Sequence, residues 1–242
     1  MLDQIDVING IMTTICVAFF ITTGVRIGLN YRREKLRVFI LWGLTWIGLV
    51  NIYYPIVISF WGYVFFGQGL SLFGYLFISS FAPITIIIAV WAWSDLIIKK
   101  YQIKLVGVAF IDNIIFISIF MYNTFNNPTS LGAIQGLVSI RYGEIVLLYL
   151  ITHTVLGTFM GFILNQQSRD ASEPEIRLKG DLIWIAFLLF FSGANIDGFL
   201  PLSIITICIS RIALTLGSII FFLGFFPPKF VLRHVRERKI KQ

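Results

Sequence analysis

Long stretches of apolar residues dominate the chain, broken by short polar clusters. Seven such runs stand out, at 7–28, 38–59, 73–98, 105–122, 145–165, 182–196 and 202–226. A helix that crosses a bilayer needs about 20 mostly apolar residues, whereas a spanning strand needs only about 10 and alternates in polarity. The runs are continuous, so they predict helices. The sixth is the weakest; it extends backwards through 175–181, whose basic side chains can snorkel toward the head groups.

The connections are short except at 123–143 and 166–179. The first of these carries Leu131, Ile134, Leu137, Val138 and Ile140 among polar residues. That spacing suits a short amphipathic helix resting on the surface, with a lid over the bundle mouth as the alternative. In the second, Ser172 followed by Glu175 forms a capping box, with Pro174 early in the helix. Pro55 and Pro83 each remove a backbone hydrogen bond and predict kinks in the second and third spans. Gly157 and Gly161 form a small-xxx-small pair for close helix packing.

Composition agrees with this pattern. Hydrophobic residues make up 57% and charged residues 13%, against about 25% charged in a soluble domain. Charge placement sets the expected orientation. With the amino terminus outside, 16 of the 19 Lys and Arg residues fall in inside segments; Arg141 alone lies in an outside loop. Basic residues are retained on the cytoplasmic side of a membrane. The expectation is an all-α, seven-transmembrane helix bundle over 1–228, amino terminus outside, followed by a basic cytoplasmic tail at 229–242. Such a multi-pass chain belongs in the cell membrane. The tail is drawn to anionic lipid, with a cytoplasmic partner as the alternative for it; His234 within it needs no special role.

Few residues carry chemistry. The eight lysines all lie outside the span centres, so none can form a buried Schiff base. No H-E-x-x-H, C-x-x-C, G-x-S-x-G or Walker sequence occurs. Neither an enzyme, a metal, a cofactor nor a nucleic-acid partner is expected. Cys16 and Cys208 read as small packing residues.

Three polar residues fall near the middle of spans: Asp112 in the fourth, His153 in the fifth and Arg211 in the seventh. A charge there costs about 2.5–3.5 kcal/mol on insertion scales and turns inward to pair. We expect an Arg211–Asp112 ion pair, with His153 or Asn113 hydrogen-bonded nearby. It either marks a ligand-binding or switching cavity or only fixes helix register. Asp95 reads as a local partner of Lys99, and Glu144 and Asp197 as solvated helix ends. Aromatics crowd the outer halves of spans two and three, and Tyr53, Tyr54, Trp61 and Tyr63 suggest an outer pocket.

The final helix, SRIALTLGSIIFFLGFFPPKF, resembles the end of the seven-helix sensor regions that precede histidine kinases in archaea and bacteria. It is also similar to stand-alone archaeal seven-helix proteins. The likeness rests on Arg211, Gly224, Phe225 and Pro228. It implies a receptor-like sensor of a small or lipophilic ligand. After Pro228 only 14 residues follow, too few for a kinase, so a signal would pass to a separate partner or through a homo-oligomer. The rival readings are a small-solute or ion transporter or channel, and a structural subunit of a membrane complex.

Overall fold

The computed structural model describes residues 2–228; the basic tail and His234 lie outside the described residues. Seven helical spans are long and apolar enough to cross a membrane. The first is α1 (Gln4–Leu29), continued by one turn, α2 (Tyr31–Glu34). The second is split into α3 (Val38–Leu49) and α4 (Tyr54–Phe66), the third into α5 (Leu72–Ser79) and α6 (Ala82–Ile97). Spans four to seven are α7 (Gln102–Asn126), α8 (Glu144–Arg169), α9 (Pro174–Phe199) and α10 (Ile204–Phe225). Both splits have the expected cause. Pro55 and Pro83 sit in the first turns of α4 and α6, where a missing N–H costs nothing. The sixth span does extend backwards, starting at Pro174 with Glu173 as its cap.

Not all of the chain is helical. The connection from α7 to α8 is a two-stranded antiparallel hairpin, β1 (Gly132–Gln135) and β2 (Ser139–Tyr142), rather than an amphipathic helix. The apolar spacing also fits strands, and Gly132, Gly136 and Gly143 weaken any helix through them. Gly136 takes φ +62°, and a Cβ there would lie 2.7 Å from the Asp6 carboxylate.

The hairpin covers one end of the bundle, and its loop inserts between the first three spans. Leu137 N–H donates to both carboxylate oxygens of Asp6, at 3.1 and 3.3 Å. Asn9 donates to Ser139 (2.7 Å), Ser59 donates to the Leu137 carbonyl (3.2 Å), and the Tyr75 hydroxyl donates to the Val138 carbonyl. Leu131 and Val138 are fully buried. We call this the hairpin end and the opposite one the basic end. At the basic end Asp95 takes two bonds from Arg37, at 2.6 and 2.9 Å, instead of pairing with Lys99. This joins the second span to the third and holds the Arg37 guanidinium above its already high pKa.

Packing is uneven. The closest neighbours are α9 with α10, α1 with α3, α8 with α9, and α1 with α10. At their centre Trp46 stacks on Phe221 (centroids 3.5 Å apart) and on Phe20 (5.2 Å), with Phe187 edge-on. Trp46 Nε1 donates to Ser218, which in turn donates to Thr23, so one chain of bonds ties three spans. The fourth and fifth spans are peripheral: 11% of their apolar windows is buried, against 39% for the first, second and seventh.

Small residues permit the closest approaches. Gly157 and Gly161 face Phe191 and Phe187 of α9, so that pair does seat two helices together. A contact of backbone on backbone lies between α1 and α3, where a Cβ on Gly43 would sit 2.6 Å from the Gly24 carbonyl and 2.9 Å from Gly28 N. Neither backbone can rotate away. Gly43→Ala should therefore lower stability by about 1–3 kcal/mol through overpacking. Gly107→Ala, where a Cβ meets nothing within 4 Å, should be neutral or stabilising by up to about 1 kcal/mol. Unfolding of the purified variants in mixed micelles, titrated with sodium dodecyl sulfate, measures both.

Candidate functional site

Arg211 comes from the second turn of α10 and is 1% exposed. Helical side chains lean toward the amino terminus of their helix, which carries this guanidinium toward the hairpin end. There Nη1 lies 3.0 Å from Asp197 Oδ1 and donates to Ser210 at the same distance. Nε donates to Thr13 (2.8 Å), and Nη2 donates to Asn9 Oδ1 (3.1 Å). The Tyr53 ring lies under the guanidinium, 4.5 Å from centroid to Cζ. Thr13 also donates to Asn9, and Asn9 reaches Ser139 of the hairpin. A buried cation is tolerable only when its N–H groups are satisfied this fully.

The expected Arg211–Asp112 pair is therefore absent. The counter-charge is Asp197, a residue read from the sequence as a solvated end. The reason is helix adjacency. α10 packs on α9 and α1, while α7 packs on α6. The usable signal lay in the short link between α9 and α10, which places Asp197 and Arg211 on adjacent antiparallel helices. At about 1.5 Å per residue the two are offset by little more than one turn, and a long Arg side chain covers that distance.

Asp112 instead meets His153, with 3.1 Å between Oδ2 and Nε2. His153 Nδ1 lies 2.9 Å from the Tyr149 carbonyl, which can only accept, so Nδ1 carries a hydrogen. Asn113 is fully buried; it accepts from the Tyr149 hydroxyl and donates to the Ala109 carbonyl (2.6 Å). Phe116 stacks on Tyr149 at 3.5 Å. The sequence-predicted residues thus divide into two separate groups.

Each group lines a cavity. The first, about 270 Å³, lies beneath the hairpin and is lined by Asn9, Tyr53, Arg141, Tyr142, Asp197 and Arg211 among others. Tyr142 bonds Ser79 at 3.0 Å, and burial pushes its phenol up to about 12, so it stays neutral. The second cavity, about 610 Å³ and largely apolar, runs between the second to sixth spans. Its walls include Trp42, Ala89, Trp93, Met160 and Phe187, with Asp112, Asn113, Tyr149 and His153 as a polar patch. Val108, Leu156 and Phe159 line it while 68%, 51% and 59% exposed, so it opens sideways between α7 and α8.

Of the aromatics proposed for an outer pocket, only Tyr53 lines either cavity. Tyr54 donates to the Ile47 carbonyl (2.6 Å), and Trp61 donates to Thr14 (3.2 Å) and stacks on Phe65. Tyr63 packs beside Gly69. These three belong to helix packing and the exposed apolar surface.

No protein-family model matches the chain, and no match was found among curated proteins or solved structures.

The pairing is checked by a double-mutant comparison. Asp197→Asn should cost about 3–5 kcal/mol, because it leaves a buried guanidinium without its counter-charge. Asp112→Asn, at a side chain 56% exposed, should cost under about 1 kcal/mol. In detergent-titrated unfolding, Arg211→Met should couple strongly to Asp197→Leu and not to Asp112→Leu.

Proposed function

We propose that the chain is a receptor-like sensor of the cell membrane that binds a small lipophilic ligand and signals to a separate partner. In this reading the hairpin end faces outside and the basic end faces the cytoplasm, following the placement of Lys and Arg. The observation that carries it is the 610 Å³ apolar cavity with a sideways opening. Small-molecule pockets measure about 300–1,000 Å³ and are mostly apolar, with a few polar groups that fix orientation. Asp112, His153, Tyr149 and Asn113 supply those groups here. A ligand dissolved in the bilayer would reach them between α7 and α8. The apolar lining favours a lipophile over an ion or a polar solute, and so favours sensing over a polar transport path.

The ligand would act on the least packed spans. Filling the cavity shifts α7 and α8 only through differential contacts with two arrangements of those helices. Their basic-end segments then present the change to a cytoplasmic partner. The resemblance of the seventh helix to kinase-linked sensor regions supports the same class of function.

Two measurements test the reading in phosphatidylcholine nanodiscs. Photolabelling with 3-trifluoromethyl-3-phenyldiazirine should mark Trp93 and Met160 above the lipid-facing Ile103, and Ala89→Trp should abolish that excess. Nitroxide labels at Lys104 and Arg169, on a cysteine-free background, should change their separation when the probe is added. Uniform labelling that Ala89→Trp leaves unaltered would remove the ligand cavity; an unchanged separation would remove the sensing step.

A further inference from the structure

The two cavities share a wall. Ile52, Leu150, Ala194, Gly198 and Phe199 line both the small chamber beneath the hairpin and the large apolar one. A polar compartment thus abuts the hairpin end of a long apolar compartment, which is the polarity profile of an amphiphile. Resting on the lipophilic-ligand reading above, we propose that the two compartments form one site for a single-tailed or phospholipid amphiphile with an anionic head. The tail lies in the 610 Å³ cavity and the head in the 270 Å³ chamber beneath the hairpin.

Charge selects the sign of the head. The chamber holds the Arg211 and Asp197 side chains, which neutralise one another, together with Arg141 from β2. Among the described residues Arg141 has no carboxylate within ion-pair distance, while the buried Asp6 carboxylate lies outside the chamber lining and is held by Leu137 N–H; Arg141 is thus the cation of the lining left without a partner. A second observation also points to a ligand. Tyr53 lines the chamber, is 1% exposed, and its hydroxyl has no hydrogen-bond partner among the described residues. A buried hydroxyl without a partner costs about 1–3 kcal/mol, and an oxyanion would accept from it. A carboxylate and a phosphate present the same chemistry to Arg141 and Tyr53, so a free fatty acid and an anionic phospholipid are both admitted by the site.

The arrangement also explains how such a molecule enters. Its tail passes sideways between α7 and α8, where Val108, Leu156 and Phe159 are exposed. The head then rests in the chamber beneath the hairpin, and its charge lies outside the apolar cavity that holds the tail.

The test uses the full chain in phosphatidylcholine nanodiscs with two photoreactive probes of equal chain length, a diazirine palmitic acid and a diazirine hexadecanol. The acid should label Trp93 and Met160 and half-saturate at lower concentration than the alcohol. Arg141→Gln should raise the acid's half-saturation roughly fivefold, the scale of one partly exposed ion pair, and leave the alcohol unchanged. Arg141 is exposed and pairs with nothing the fold needs, so this variant should fold; Arg141→Lys should restore most of the difference. Equal labelling by acid and alcohol, or an Arg141→Gln without effect, overturns the head-group assignment while leaving the lipophilic cavity intact. Failure of both probes to label the cavity overturns both. Competition identifies the source: displacement by palmitate alone assigns a free acid, and displacement by phosphatidic acid assigns a lipid. Displacement by neither overturns the proposal.

Discussion

A guanidinium held inside an apolar bundle constrains everything around it. Arg211 cannot lose its charge and cannot be left unsolvated, so the neighbouring helices must supply what water would. Asn9 and Thr13 do so from the first span, Tyr53 from the second, Asp197 from the sixth and Ser210 from its own helix. These bonds set the level at which four spans meet. Through Asn9 and Ser139 they also set where the hairpin sits. The connection from α7 to α8 is therefore part of the same polar assembly.

That assembly belongs to one half of the molecule. The first, second, sixth and seventh spans enclose the stack of Phe20, Trp46 and Phe221 and the contact of Gly24 with Gly43. With no hydrophobic drive between helices in lipid, such tight packing and interhelical hydrogen bonding are what hold them together. The fourth span lacks both over most of its length, and the fifth has them chiefly toward the sixth, through Gly157, Gly161 and the Asn165–Asp181 bond. The fourth and fifth touch each other chiefly through Asp112–His153, Asn113–Tyr149 and Phe116–Tyr149, and the apolar cavity fills the space behind them. The candidate binding region coincides with the weakly packed half, where rearrangement costs least.

Most of the architecture was legible in the chain itself. Continuous apolar runs locate helices, and Pro55 and Pro83 locate the breaks, because both effects are local. The placement of Arg211, Asp112 and His153 within spans was legible too, as was their need for partners. Partner identity was not, because it depends on which helices are neighbours, and no periodicity encodes that. Asp197 was discounted for lying near a helix end, yet a long cationic side chain bridges more than a turn. The 131–140 segment failed for a different reason. Five apolar residues at mixed spacing fit a helix or two short strands, and only the three glycines around them argue for the hairpin.

The hairpin gives the peripheral pair the mechanics of tongs. α7 and α8 are joined at one end by the hairpin connector, which is itself clamped by Asp6, Asn9, Ser59 and Tyr75. Below the Asp112–His153 contact no hydrogen bond or ion pair joins the two arms among the described residues. Any wedge driven between them must spread them least at the clamp and most at the far tips, so a displacement of a fraction of an ångström near the pivot grows along 102–111 of α7 and 154–169 of α8. A small guest would thus have leverage over the end of the bundle that carries its positive charges.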